Sequence, residues 1–271
     1  MLRTGAWVDA HCHLQDPRLR ARARDILARA TREGVVAISS CACTETEWAD
    51  WPAFLAEVET PPVQLLPAFG VHPWYAGDVS PTYLSTLEDT LKLYPNASVG
   101  EIGLCKSKRG AAVPMTIQEA RFREQLQLAG RLKRPVVVHC VGAYGKVLDI
   151  VNAASLARPV VLHSFSGAAE MVHSFCRLRG ACVYFSINTK MFTHDKALKM
   201  LQVIPLDRLL LETDAPDQLP PQHLPGVTTN EPMLLPSAAA ALATTLGISS
   251  KELAERTTAN AFRAYGVETM Q

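Results

Sequence analysis

Short runs of apolar, mostly β-branched residues alternate along this chain with longer segments in which apolar residues recur every three or four positions. The longer segments, such as Pro17 to Glu33 and Thr116 to Lys133, predict helices of ten or more residues. Strands that alternate with helices in this way build a parallel sheet, so the pattern predicts an α/β fold. The short runs predict eight strands, at Trp7 to Ala10, Val35 to Ser39, Gln64 to Phe69, Ser98 to Glu101, Val136 to His139, Val160 to His163, Cys182 to Ile187 and Arg208 to Thr213.

Eight strand–helix units fit a closed (β/α)8 TIM barrel better than an open doubly wound sheet, which remains the alternative. No linker divides the chain, so we predict a single domain over residues 1–271. The segment 215–232 is rich in proline and polar residues and predicts a long loop. Extra C-terminal helices are predicted over residues 234–246, 251–256 and 258–265, and we expect them to close one end of the barrel.

Composition and charge limit the partners and the cellular compartments that fit this chain. The formal net charge of +1 gives no global attraction to nucleic acid, so any phosphate recognition has to be local. No apolar run approaches the roughly 20 residues that span a bilayer, and a polar strand starts almost at the N-terminus. We therefore expect a cytoplasmic protein with no membrane partner, and its oligomeric state stays open. The seven scattered cysteines predict reduced thiols, and we interpret Cys41 and Cys43 as packing residues without a nearby histidine.

Potential metal ligands stand at the carboxyl ends of five predicted strands. His11 and His13 are two residues apart, so on a strand both imidazoles point to the same side, although this spacing also occurs in surface loops. Two later strands read RPVVVH and RPVVLH and each ends in a histidine. Any one of these residues alone could be a hydrogen-bonded loop histidine or a helix cap, but barrel strands end at one common rim. The predicted metal ligands are His11, His13, Glu101, His139, His163 and Asp214.

This donor set narrows the chemistry. Imidazoles and carboxylates without a thiolate suit divalent ions, and the residues do not distinguish Zn, Mn, Mg, Co, Ni or Fe. A carboxylate shared between two ions allows a two-metal site. Such a site would supply hydroxide from bound water and would bind the attacking and leaving oxygens of a phosphoester during displacement. Asp214 and Glu101 are the predicted catalytic residues, with Asp214 as both ligand and general base for the attacking water. Asp9 is expected to lie outside the ligand set and to orient one of the metal ligands, and Cys12 is expected to point away from the metal.

Further residues at this rim are candidate substrate contacts. Lys106, Lys108 and Arg109 follow the fourth strand and could bind phosphates, or they could simply form a solvated basic loop. His72 and Trp74 follow the third strand. The indole, with the tyrosine next to it, could stack a terminal base or pack as part of a lid. We interpret His72 as a phosphate contact or an outer residue rather than a direct metal ligand. The arginines of residues 17–33 are expected on the outer surface.

Several motifs, in a fixed order over essentially the whole chain, resemble the TatD-type metal-dependent hydrolases of the amidohydrolase superfamily. The resemblance implies a TIM-barrel phosphodiesterase with divalent-metal-dependent deoxyribonuclease activity, including 3′ to 5′ exonuclease activity, that acts on DNA or another phosphodiester. It also implies that the six residues above are the ligands and that Glu101 bridges two ions. The motifs are DAHCHL at 9–14, GVHP at 70–73, VGEIGL at 99–104, PVVVHC at 135–140, VLHSFSG at 161–167, LLLETDAP at 209–216 and NEP at 230–232.

The chain departs from this family at Cys105, where aspartate commonly follows Gly-Leu. We interpret Cys105 as a packing substitution rather than a redox-sensitive thiol, and we expect Cys105→Asp to alter turnover without changing metal content. The alternative function is an amidohydrolase that cleaves a C–N bond or an ester of a small molecule at the same centre. A third possibility is a barrel that only binds a ligand. It is disfavoured because burying so many imidazoles and carboxylates without a metal costs free energy.

Overall fold

The computed structural model describes residues 5–59, 63–154, 156–188, 190, 195–220 and 228–267, with only the backbone described at 195 and 196. Eight parallel strands form one sheet in which each strand pairs with the next along the chain. The fourth and fifth strands extend beyond their predicted ends, and the sixth is shorter. The strands are β1 (Trp7–Cys12), β2 (Val35–Ala42), β3 (Gln64–Phe69), β4 (Ser98–Cys105), β5 (Val136–Val141), β6 (Val160–Leu162), β7 (Val183–Asn188) and β8 (Leu209–Glu212).

The first and last strands meet, and this closes the barrel. Just beyond β8, the backbone N–H of Asp214 donates to the His11 carbonyl at 2.9 Å, and that of His13 donates to the Ala215 carbonyl at 2.7 Å. The Asp9 carboxylate adds a second tie, because it accepts hydrogen bonds from the backbone N–H and the hydroxyl of Thr213. The predicted TIM barrel is therefore confirmed.

Helices alternate with the strands and two more follow the last strand, as predicted, but two boundaries differ. The predicted helix over residues 17–33 is divided at Arg22, whose φ of −118° and ψ of 10° lie outside the helical range. The two predicted helices over 251–265 form one continuous helix, and Thr257, at the predicted break, donates from its hydroxyl to the Leu253 carbonyl within it. The helices are α1 (Pro17–Arg20), α2 (Ala23–Arg32), α3 (Glu45–Val58), α4 (Tyr83–Leu93), α5 (Met115–Leu132), α6 (Tyr144–Ala153), α7 (Ala169–Cys176), α8 (Asp195–Val203), α9 (Leu235–Leu246) and α10 (Ser250–Tyr265).

The core has two layers, as strand alternation requires. In β5, Val136 and Val138 belong to the layer between strands and helices, whereas Val137 belongs to the barrel interior. Helix α10 contributes Phe262 and Tyr265 to that interior. These two side chains lie at the amino-terminal ends of the strands, so this end of the barrel is filled by side chains.

Hydrogen bonds hold α10 in this position. The Tyr265 hydroxyl donates to the Ala10 carbonyl in β1. Asn260 donates from its amide to the carbonyls of Leu206 and Leu209, both at 2.8 Å, which fixes the helix to the start of β8. Among the described residues, no single helix is long and apolar enough to cross a membrane. By length and composition alone, a pair bent by 106° (Pro232–Leu246 with Ser250–Tyr265) meets that requirement.

Candidate metal centre

The carboxylate of Glu101 lies at the middle of a cluster of imidazoles. Its Oε1 is 2.7 Å from both His139 Nδ1 and His163 Nε2. Its Oε2 lies on the other side, 3.4 Å from His11 Nε2 and 3.5 Å from His13 Nε2. The two oxygens thus face two different pairs of histidines. This is the arrangement of a carboxylate that can bridge two ions.

Asp214 completes the set, because its Oδ1 lies 3.6 Å from His11 Nε2 and 3.8 Å from His13 Nε2. The structure therefore brings all six sequence-predicted ligands to the carboxyl ends of the strands. Glu101 itself lies within β4 rather than at its end, since this strand continues to Cys105. Gly103 allows the close approach of β4 to β5, because its φ is 144° and a Cβ there would lie 2.0 Å from the His139 carbonyl oxygen.

The spacing of these donor atoms fits divalent ions. Ligands at about 2.05 Å from a tetrahedral ion are about 3.4 Å from one another. The Nε2 atoms of His11 and His13 are 3.2 Å apart, and their distances to Glu101 and Asp214 range from 3.4 to 3.8 Å. On the other side, Glu101 Oε1 lies 2.7 Å from His139 Nδ1 and from His163 Nε2, which are hydrogen-bond distances and shorter than the separation of two ligands of one ion. The residues present therefore fit a metal ion on the side of His11 and His13.

Burial and the neighbouring groups set the charge of this centre. Burial opposes ionisation of Glu101, but the imidazoles of His163, His72 and His11 hold its pKa well below its usual range. Burial lowers the pKa of His11, which favours the neutral form that a metal requires. Burial raises the pKa of Asp214, against the opposing effect of His163 and His11. An ionised bridging carboxylate next to a neutral imidazole is suited to bind a cation.

Sequence reasoning missed Glu212, which is fully buried in β8 beside His163. Its Oε1 accepts hydrogen bonds from the backbone N–H and the hydroxyl of Ser164, both at 2.7 Å, and lies 3.5 Å from His163 Nδ1. A carboxylate behind an imidazole fixes the orientation of the ring and directs the other nitrogen to the metal. A signal was present, because Glu212 and Asp214 are two residues apart, as are His11 and His13.

Asp9 and His72 border the centre in different ways. Asp9 accepts hydrogen bonds from Thr213 and from the backbone N–H of His11, so it joins β1 to the end of β8 and holds the backbone of a predicted ligand. His72 is buried with Nε2 at 3.5 Å from Glu101 Oε1, and its Nδ1 accepts the backbone N–H of Trp74 at 3.0 Å. With Nδ1 as acceptor, the proton is on Nε2. His72 therefore donates towards Glu101, and these two residues form with His139 one of the groups whose ligand atoms lie close enough together to hold an ion.

The two cysteines interpreted as packing residues lie beside the centre. Cys41 Sγ is 3.4 Å from His11 Nδ1, and Cys43 Sγ is 3.9 Å from Glu101 Oε2 and 4.0 Å from His13 Nδ1. The statement that no histidine is near them is wrong, because the pairing of β1 with β2 brings both histidines against them. Cys12 packs in the layer between strands and helices, away from the cluster.

A cavity of about 750 Å³ lies above the centre. Trp74 and Arg109 line one side of it, whereas Lys106 and Lys108 are exposed and do not line it. Arg18 and Arg20 also line the cavity, so the expectation that the arginines of this segment lie on the outer surface is wrong for these two. The cause is α1, which follows β1 directly and begins at the rim.

The carboxylates around these two arginines neutralise them. Arg18 pairs with Asp16 at 2.9 Å and with Asp217 at 2.7 Å, and Arg20 pairs with Asp50 and Glu57.

Cys105 lies between the cavity and α5. Its Sγ is 3.2 Å from Trp74 Nε1 and 3.0 Å from Ser107 Oγ. Burial opposes ionisation of the thiol, but its hydrogen bonds with His139 and Ser107 outweigh burial and lower its pKa to about 6. The thiol is therefore in contact with the aromatic wall of the cavity as well as with the edge of the metal centre.

Comparisons with known proteins agree with this architecture. The family model described as TatD related DNase matches residues 8–266. The "Uncharacterized metal-dependent hydrolase TatD" of Mycobacterium tuberculosis is 32% identical over 97% of this chain and 99% of its own length. The "3'-5' ssDNA/RNA exonuclease TatD" of Pantoea vagans is 35% identical over 71% of this chain and 74% of its own length.

Among solved structures, the TatD homologue YjjV from Escherichia coli K12 has a TM-score of 0.86, with 28% identity over 98% of this chain and 100% of that chain. The family model matches nearly the whole chain. The eight-stranded parallel barrel and the cluster of histidines and carboxylates at the strand ends agree with this match. The chain belongs to the TatD-related DNase family.

Proposed function

We propose that this chain is a divalent-metal-dependent phosphodiesterase, and specifically a deoxyribonuclease that removes nucleotides from single strands in the 3′ to 5′ direction. One observation carries the proposal: the two oxygens of Glu101 face separate pairs of imidazoles at the base of a cavity. Two ions held in this way suit in-line displacement at phosphorus. The family and the relative named as an exonuclease support the choice of substrate.

The donor set divides into two positions that share Glu101. His11, His13 and Asp214 would hold one ion, and His139 and His163 would hold the other. Divalent ions in these positions would supply Lewis-acid activation of water and neutralise the charge of the phosphodiester.

The residues of the chain itself supply proton transfer and orientation. Asp214 is the proposed acceptor of the proton from the attacking water, and burial moves its pKa upwards, towards the range in which a base is effective near neutral pH. Glu212 fixes the ring of His163 from behind. Arg109, exposed at the rim of the cavity, is placed to contact a phosphate of the strand.

The test is digestion of a 5′-labelled single-stranded oligonucleotide by metal-stripped protein supplemented in turn with Mg²⁺, Mn²⁺, Zn²⁺ and Co²⁺. We expect a ladder that shortens from the 3′ end and that is lost in Glu101→Gln. Glu231→Gln is the matched control, because Glu231 is a buried glutamate that pairs with Arg29 away from the imidazole cluster. Internal cuts would refute exonuclease action. Hydrolysis of small amides or esters, without cleavage of any phosphodiester, would favour the amidohydrolase instead.

A further inference from the structure

The wall of the cavity next to Glu101 carries an aromatic surface. Trp74 belongs to a short turn after β3, Pro73–Tyr75, and is partly exposed to the cavity. The centroid of its ring lies 4.3 Å from that of His72, and His72 in turn contacts Glu101. A planar group on this wall would therefore be only one histidine away from the metal centre.

A guanidinium already lies on this wall. The Cζ of Arg109 is 4.1 Å from the centroid of the Trp74 ring, and its Nη2 donates to the Tyr75 hydroxyl at 2.8 Å. Within the described ranges, Arg109 has no carboxylate partner, in contrast to Arg18 and Arg20, which also line the cavity. Because Arg109 lies flat on the Trp74 ring, this wall presents a planar, positively charged group to the cavity in addition to the indole.

Cys105 fixes the indole from its edge. The Trp74 Nε1–H points at Cys105 Sγ at 3.2 Å, so this contact is made at the ring edge, while Arg109 lies over one face of the ring. The sulfur also contacts Ser107 Oγ at 3.0 Å, and it lies against Gly110, where a side chain would leave no room for it, because a Cβ would lie 2.8 Å from the sulfur. The backbone N–H of Cys105 is also bound, to Gln118 Oε1 at 2.8 Å. Cys105 is therefore a positioning residue for Trp74.

We propose that the layered pair Trp74–Arg109 is a subsite for an unpaired nucleobase at the end of the bound strand, and that Cys105 sets its position. Bases stack on aromatic rings and on guanidinium planes, with little dependence on sequence. The size of the cavity is in the range of pockets that enclose small ligands, which suits a strand end. This inference rests on the proposed cleavage of single strands.

The test compares two oligonucleotides that differ only in whether the terminal nucleotide carries a base or is abasic. For the wild-type protein we expect the abasic end to raise KM about five- to 150-fold, the usual effect of one stacked base. Trp74→Leu and Arg109→Lys should each abolish most of this difference between the two substrates. Arg24→Lys, at an exposed arginine paired with Glu59 outside the cavity, is the matched control and should retain it.

The positioning role of Cys105 has its own variants. Cys105→Val, which removes the acceptor for the indole N–H, should reduce the preference for a terminal base, and Cys105→Ser should restore it. Fluorescence of a terminal 2-aminopurine in a phosphorothioate strand gives a readout without cleavage, and we expect quenching that Trp74→Leu removes. Equal KM values for the two ends in wild type, or a preference unchanged in Trp74→Leu, would overturn the subsite.

Failure of the subsite differs from failure of the proposed function. If the protein hydrolyses a small phosphodiester but cleaves no oligonucleotide, the subsite is refuted and the phosphodiesterase stands. If 2-aminopurine is quenched but no phosphodiester is cleaved with any metal, the subsite stands and the proposed function fails.

Discussion

Replacing Glu212 with glutamine is expected to weaken one metal position and to spare the other. The isosteric amide keeps the volume of the side chain, so the barrel interior stays packed. It removes the negative charge next to His163 Nδ1, which at 3.5 Å helps to raise the pKa of this imidazole and to fix its ring. His139 and Glu101 keep their positions. The charge of Glu212 also acts on His11 and Asp214, but neither imidazole of the His11–His13 pair has Glu212 behind its ring, so we expect the smaller effect at that position.

The expected magnitude follows from this single contact. Loss of the partner behind a ligating histidine costs about 10- to 100-fold in metal affinity. This corresponds to about 1.4 to 2.7 kcal/mol. Because the two Ser164 hydrogen bonds at 2.7 Å can be kept by the amide oxygen, we expect little change in folding stability beyond that loss.

The assay is calorimetric titration of metal-stripped protein with Zn²⁺ in the presence of a competing chelator. Two binding steps are expected for the wild type, and Glu212→Gln should weaken one of them. Glu231→Gln should reproduce the wild-type titration, since Glu231 pairs with Arg29 and Arg22 away from the ligands. A Glu212→Gln protein that binds both ions as tightly as wild type, or that loses both steps equally, would refute the assigned role.

Four further predictions concern stability and turnover. Metal-stripped protein should melt at a lower temperature than metal-loaded protein in scanning calorimetry, with a difference that grows with ion concentration. Tyr265→Phe should lose about 1 kcal/mol, or about 2 to 4 °C in Tm, because the hydroxyl donates to the buried Ala10 carbonyl. Burial raises the pKa of Asp9 to about 7, so its contribution in metal-stripped protein is complete below about pH 4 and lost as the pH rises through about 7. Denaturant titrations should show this loss in wild type but not in Asp9→Asn, and a parallel pH dependence of both proteins would contradict it. Cys105→Asp should change kcat but leave the metal content by elemental analysis as it is, and altered stoichiometry would contradict this expectation.

Much of the fold and the ligand set was predictable because both depend on strand ends. Apolar runs located the eight strands, and residues that follow such runs in a barrel meet at one rim. This placed His139 and His163 correctly although they are 24 residues apart. The local pattern was sufficient because it needed only the end of each strand and no knowledge of side-chain neighbours.

The residues that were missed depend on neighbours that no local pattern shows. The spacing of Glu212 from Asp214 indicates its face, but it does not show that Glu212 contacts His163, which follows a different strand. Cys41 meets His11 only because β1 pairs with β2. Arg18 reaches the cavity because the helix starts at the rim and breaks at Arg22, a boundary that the continuous apolar pattern conceals.

Helix α10 closes the amino-terminal end of the barrel, and this has a consequence for how a nucleic acid strand would be digested. Phe262 and Tyr265 fill the barrel from below, and the cavity opens above the imidazole cluster. A nucleic acid cannot thread through a barrel closed in this way, so the incoming end and the released nucleotide share one opening. Each product has to leave before the next linkage reaches Glu101. Under the proposed function, the released nucleotide competes with the incoming strand end for this opening, so added mononucleotide is expected to inhibit digestion.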